Sequence, residues 1–248
     1  MEHRPLTDRE IVESCCLNMV ETYFALAKTA VGACRFEDEG IIGCRSESDH
    51  PAANFSIIAR PNLPAITRLA QMNSHTSYVI PTDQTGSVLE MMRGAGFSIG
   101  SSLSLMFLRN PSGGVDLDLE TVNGYSARYD HTMFLASQFF STSSNGFCEG
   151  ISMLTASADS CELLRLPGRI GSSAGAMVFQ TGAILGLYNI TVAPESRGDG
   201  LGANLVRSLI GIAASRKCTA TLQCSESLVP WYERLGFRKY GEVVLMRR

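Results

Sequence analysis

Thr191-Val192-Ala193-Pro194-Glu195-Ser196-Arg197-Gly198-Asp199-Gly200-Leu201-Gly202-Ala203-Asn204-Leu205 is the stretch from which the rest of the chain can be read. An apolar run over residues 184–192 leads into it and ends at a proline. Three glycines follow at alternate positions, Gly198, Gly200 and Gly202. Leu201, Leu205, Leu209 and Ile212 then line one side of a helix that finishes with Arg216 and Lys217. Cations in a last turn suit the helix dipole. Strand, glycine-rich loop and helix in this order build an anion site from backbone N–H groups and a helix N-terminus.

Working outward, residues 220–224 read as the next strand, and the strand–helix–strand crossover makes it parallel to 184–192. Upstream, strands at 162–166 and 174–179 are joined by Pro167-Gly168 and by Gln180-Thr181-Gly182, an antiparallel meander. Residues 128–142 carry a helical apolar face of Met133, Phe134, Ala136, Phe139 and Phe140. Downstream, Pro230 sits in the first turn of a short helix, 231–235, and Gly236 can end it as a left-handed C′ residue. Residues 243–246 are expected to close this half as its final strand.

The first half begins with a long helix from Arg9 to about Ala30, capped by Asp8, with Ile11, Cys15, Met19, Tyr23 and Leu26 at helical spacing. Strands are expected at 41–44, 55–59, 77–80 and 102–108, and helices at 65–72 and 88–93. Asn110-Pro111-Ser112-Gly113-Gly114 is the best linker, so the chain divides into 1–118 and 119–248. Met91-Met92-Arg93-Gly94-Ala95-Gly96-Phe97 matches Trp231-Tyr232-Glu233-Arg234-Leu235-Gly236-Phe237 in pattern, 140 residues later. Met106 and Met246 each follow nine residues on. This points to two copies of one architecture, against the coincidence of common helix-stop chemistry. The first copy has Arg60-Pro61-Asn62-Leu63-Pro64 where the second has its glycines, and prolines lack the N–H donors an anion needs. Only the second copy can hold the anion.

The 248 residues are 45% hydrophobic and 18% charged, with a net charge of −3 and no long run of one sign. That speaks against broad electrostatic binding of nucleic acid or an anionic membrane. The first residues are charged, not a signal-peptide core, and no apolar stretch is long enough for a membrane span. Eight scattered cysteines without a C-x-x-C pair read as buried free thiols of a reducing, cytoplasmic compartment. His3, His50, His75 and His131 have no metal-ligand spacing, so no metal is expected. His131 beside Asp130 reads as helix-start chemistry, not catalysis.

Two motifs together carry a family resemblance: V-x-P-x-x-R-G-x-G-x-G at 192–202 and Pro230-Trp231-Tyr232-Glu233-Arg234-Leu235-Gly236-Phe237 about thirty residues later. The second half resembles a GNAT-family N-acetyltransferase. The wording Tyr188-Asn189-Ile190 and Leu222-Gln223-Cys224-Ser225 is similar to a two-lobed bacterial type with a degenerate first lobe. The resemblance implies an α/β (α+β) fold with a mixed central sheet and flanking helices, and acetyl-CoA as cosubstrate. The anion is then the coenzyme A pyrophosphate, held by the backbone of Arg197, Gly198, Asp199, Gly200, Leu201 and Gly202. Ile190, Thr191 and Val192 would pair with pantetheine like an added strand, an N–H among them polarising the acyl carbonyl, while the strand carrying Cys224 splays away. Tyr232 matches the family's tyrosine near the thioester sulfur, usually assigned as general acid.

Two positions depart from the family's pattern. Ser225 stands where relatives often have a cofactor-binding Asn. The strand 184–192 has neither acid nor His to serve as base. Tyr188 and Asn189 could order a relaying water, or Glu226 could reach in from the next loop. The reading is therefore acetyl transfer to a primary amine of an unidentified small molecule or peptide. The alternatives are a CoA-binding sensor without activity and a non-catalytic docking protein. Tandem lobes would fit a monomer, the first walling the acceptor cleft.

Overall fold

The computed structural model describes residues 6–72, 76–140, 145–169 and 171–248. In chain order the elements are α1 (Asp8–Ala27), β1 (Cys34–Asp38), β2 (Ile41–Arg45), β3 (Phe55–Ile58), α2 (Leu63–Ala70), β4 (Thr76–Val79), α3 (Thr85–Gly94) and β5 (Ser98–Leu108). There follow β6 (Glu120–Thr121), α4 (Tyr125–Phe139), α5 (Asn145–Ser157), β7 (Glu162–Pro167), β8 (Ser172–Thr181) and β9 (Ile184–Val192). The last are α6 (Leu201–Ser215), β10 (Thr219–Cys224), α7 (Val229–Glu233) and β11 (Arg238–Arg247). His3 and His75, and the end of the helix expected over 128–142, lie outside the described residues.

The strands form one mixed sheet in the order β1-β2-β3-β4-β11-β5-β10-β9-β8-β7-β6. Two neighbours are parallel, β3 with β4 and β9 with β10, each pair joined through a helix, as the crossover argument requires. The β7–β8–β9 meander is antiparallel as expected.

At the centre the structure departs from the expectation that residues 243–246 close the second half. The edge of β10 is occupied by β5, from Ala220↔Leu108 to Cys224↔Ser104. β11 therefore lies one place further out, between β5 and β4. Each half's last strand is thus built into the other half's side of the sheet, and β5 and β11 run antiparallel as the central pair. Val243, Val244 and Met246 suit this place because β11 is covered on both faces, with Val244 and Met246 in one apolar cluster and Val243 in another.

Helices α6 and α7 cover one face over β8, β9 and β10, with Leu205, Leu209, Leu185, Leu222 and Phe237 buried among them. On the opposite face α1 spans the middle. Its Ile11 and Cys15 meet Leu105, Phe107 and Ile184, while Met19 and Val20 meet Phe55, Ile57 and Val243. The helix is capped by Thr7 rather than Asp8, because Glu10 completes a reciprocal capping box with Thr7.

Two elements escape the sequence reading. β1 is a largely exposed edge strand whose Cys-Arg-Phe-Glu-Asp lacks an apolar run. α5 carries two glycines, and its C-terminal carbonyls are held by a residue far away in sequence. Arg128 of α4, buried, donates to the carbonyls of Thr155, Ala156, Ala158 and Cys161 at 2.8–3.0 Å.

His131 is also corrected. It lies well inside α4, which begins at Tyr125 after Gly124, so it plays no part in helix initiation. Its Nε2–H donates to the Leu164 carbonyl at 3.0 Å, which leaves Nδ1 to accept from the Ser172 hydroxyl at 3.1 Å. Burial lowers its pKa to about 4, so the ring is neutral and structural.

Candidate active site

β9 and β10 are paired only from Thr219↔Ile184 to Thr221↔Gly186. β10 then stays with β5 as far as Cys224, while β9 continues to Val192 without it. A gap therefore opens between the two strands beyond Gly186. Along the same length β9 carries a bulge: Gly175 faces Thr191 and Met177 faces Tyr188, so Asn189 and Ile190 stand against the single residue Ala176. Asn189 takes a left-handed φ of 51°. A bulge leaves one residue's backbone outside the ladder and commonly re-aims groups beside active sites. Tyr188, Asn189 and Ile190 all sit half-buried here, with Thr191 buried.

The glycine loop lies at the end of β9. Gly198 and Gly200 have φ of 106° and 76°, and Gly200 is the N-cap of α6 with no side chain to satisfy its first N–H groups. A Cβ on either glycine would meet no atom within 4 Å, so the space above the loop is open. Donors without a cap, at a helix N-terminus with room in front of them, suit a phosphate group. Arg197 turns its side chain away from that space, donating from Nε to the Val192 carbonyl at 3.0 Å and from a terminal nitrogen to Gln138 at 2.9 Å. Its contribution is to pin the loop to β9 and α4. Asp199 is exposed.

α7 completes the site. Pro230 lies in its first turn, and Gly236, at φ 94°, lets the chain leave the helix. Tyr232 is buried between Trp231 and Phe237, with ring centroids 4.8 and 5.8 Å away. Burial, and then the neighbouring Cys224 at the end of β10, push its pKa well above that of a free tyrosine. Its hydroxyl is therefore a protonated donor. Trp231 and Val192 both approach Gly202, so α7, β9 and the start of α6 converge on the glycine loop.

Other expected residues are placed differently. The Ser225 hydroxyl is 3.0 Å from that of Ser227. The Glu226 carboxylate accepts from Lys239 and from the Ser104 hydroxyl, each at 2.6 Å, and Lys239, then Ser104, hold its pKa below the usual range. It is tied to β5 and β11 as a stabilised anion, which makes it a weak proton acceptor. Tyr188 points to the α1 face, where its hydroxyl donates to Asn18 Oδ1 at 2.6 Å. Asn18 is the residue that the sequence reading missed. Its one signal is a polar pair, Asn18 and Thr22, four residues apart on the buried side of a helix. Gln223, on β10, has its side chain beside Tyr188.

Residues 162–239 match the family model described as an acetyltransferase (GNAT) domain. This stretch of the chain is similar to a GNAT acetyltransferase domain. The match runs from β7 into β11 and takes in the bulge, the glycine loop and Tyr232. Glucosamine 6-phosphate N-acetyltransferase of Trypanosoma brucei brucei is 39% identical over 79 residues, which are 29% of this chain and 54% of that protein. The chain thus spans about half the length of this curated relative.

Among solved structures, a GCN5-related N-acetyltransferase from Kribbella flavida superimposes with a TM-score of 0.64 at 11% identity, covering 98% of this chain and 96% of the other. A functionally unknown conserved protein from Staphylococcus epidermidis reaches 0.62 at 14% identity, covering 87% and 94%. At such identities the likeness is one of fold, and it extends across both halves. GNAT domains use acetyl-CoA as cosubstrate. Among the described residues no cluster of His, Cys, Asp and Glu could hold a metal ion, and no helix is long and apolar enough to cross a membrane.

Proposed function

We propose that the chain is an acetyl-CoA-dependent N-acetyltransferase acting on a primary amine of a small molecule, with its chemistry in residues 119–248. The observation that carries this reading is the parting of β9 from β10 directly beside the uncapped, glycine-lined start of α6. A thioester with a pyrophosphate tail needs both: a slot in the sheet and an anion cradle at its end.

In this reading the backbone of residues 197–202 receives the pyrophosphate, while Ile190, Thr191 and Val192 pair with the pantetheine arm. An N–H at the bulge of β9 donates to the acyl carbonyl and meets the negative charge that develops on its oxygen. The amine nitrogen forms its bond to the acyl carbon, the carbon–sulfur bond breaks, and the Tyr232 hydroxyl supplies the proton the departing sulfur takes up. β9 itself has no acid or His, so the amine's proton leaves through water ordered near Tyr188 and Asn189. The small-molecule acceptor follows the trypanosomal relative, whose name states an amino-sugar phosphate. The paired motifs of the two halves further support a duplicated ancestor with a degenerate first copy.

The test is thiol release from acetyl-CoA with a panel of primary amines that includes glucosamine 6-phosphate. Amine-dependent release supports the transferase. CoA binding with no turnover on any amine would favour a sensor, the second reading, for which the ion-paired state of Glu226 speaks. Absence of CoA binding would overturn both.

A further inference from the structure

Asn18 belongs to α1, in the first half of the chain, yet it is fully buried against the strand that carries the bulge. Its Nδ2 donates to the carbonyl of Phe179 at 3.1 Å and to the Thr181 hydroxyl at 3.2 Å, with the Ile184 carbonyl at 3.5 Å. Those contacts grip the turn between β8 and β9. Its Oδ1 accepts from the Tyr188 hydroxyl at 2.6 Å, four residues further along β9. One side chain therefore holds β9 at its beginning and again at the residue immediately before the bulge.

The fit is close. A Cβ on Gly186, between those two grips, would stand 2.0 Å from Asn18 Oδ1 and 2.4 Å from the Tyr188 ring. Only glycine lets α1 approach the strand so nearly. Thr22 lies one turn further along α1, its hydroxyl donating to the Asn18 backbone carbonyl at 2.7 Å. Asn189 is held in a left-handed conformation that non-glycine residues adopt at a cost, and such strain persists where the surroundings over-determine it.

We propose that Asn18 is a positioning residue of the acetyl-transfer site, through which the first half of the chain sets the bulge N–H that meets the acyl carbonyl. It acts through Tyr188 and touches neither substrate. The inference rests on the transferase reading, and it makes the second half alone an incomplete site even though that half contains the cradle and Tyr232.

The bulge N–H meets only the acyl group, so its position is read by comparing acetyl-CoA with CoA in the absence of any amine. Calorimetric titration of the full chain is expected to show acetyl-CoA bound about 3- to 10-fold more tightly than CoA, the range of one net hydrogen bond. Asn18→Ala and Tyr188→Phe are each expected to bring that ratio to about one while CoA affinity stays within about twofold, and the double variant to add nothing further. Should Asn18→Ala fail to fold, Tyr188→Phe, which removes one oxygen and keeps the ring, decides alone. A preference for acetyl-CoA that survives in the variants overturns the proposal, as does its absence from the wild type. Binding of neither ligand overturns the transferase reading itself.

Discussion

Replacing Gly200 separates the two reasons a glycine stands there. At φ 76° an alanine suffers left-handed strain of about 1–2 kcal/mol, but its methyl meets nothing within 4 Å, so no clash is added. For a chain of this size that is a fall in melting temperature of about 2–4 °C per kcal/mol. Gly200→Glu carries a similar backbone cost, so its stability should resemble that of Gly200→Ala. Binding should differ sharply. A carboxylate about 4 Å from a phosphate costs about 4 kcal/mol at an effective dielectric near 20, and less at an open surface. Even at two-thirds of that value, CoA affinity falls about 100-fold, against about 10-fold or less for the alanine. Gly202→Ala is the control. Its φ is not left-handed, and a Cβ there lies at ordinary contact, 3.7 Å from Val192 and 3.9 Å from Trp231. Thermal melts and CoA titrations on the three variants give all the quantities. Gly200→Glu that melts like Gly200→Ala but binds CoA within threefold of wild type would refute the cradle.

Tyr232→Phe should lower turnover at least 10-fold with CoA affinity unchanged, and equal turnover would remove its role as acid. His131 titrates near 4 when folded and near 6.5 when unfolded, so its neutral form stabilises the protein fully above pH 6.5 and progressively less as pH falls towards 4. About 3 kcal/mol is lost across that window, with His50 shifted in the same direction by burial. Urea melts at pH 7.5 and 4.5 should show the loss, and His131→Asn should reduce it; an unchanged slope would refute the assignment. Arg128→Met should destabilise by about 3 kcal/mol, because four carbonyls, two in the last turn of α5 and two between it and β7, lose a charged donor, and a loss below about 1 kcal/mol would mean that water replaces it. Proteolytic nicking within residues 110–114 should leave two fragments that co-elute on a sizing column, since each supplies a strand to the other's side of the sheet; fragments that separate without denaturant would refute that.

Much of the backbone around the glycine loop and α7 was legible because backbone chemistry writes itself into local sequence. Gly198 and Gly200 needed positive φ, and Pro230 and Gly236 bracket a short helix, so motif and conformation coincide. The meander and the parallel crossover followed from turn residues and chain direction alone. Legibility failed where a residue's partner lies far away in sequence. Arg128 and the carbonyls of α5, Asn18 and Tyr188, and β11 between β4 and β5 all depend on neighbours that no window of sequence contains. Glu226 shows the same limit. As a loop carboxylate it could have served as a base, and only the folded chain shows that Lys239 and Ser104 have already engaged it.

The place of β11 also governs when this fold can be finished. It follows every other element in the chain, yet it fills the middle of the sheet between β4 and β5. During synthesis, β4 and β5 must wait with unpaired edges until residues 238–247 have left the ribosome. The central seam of the sheet can form only once those residues are present. A chain broken off within its final ten residues would therefore lose the join between its halves, not a peripheral strand.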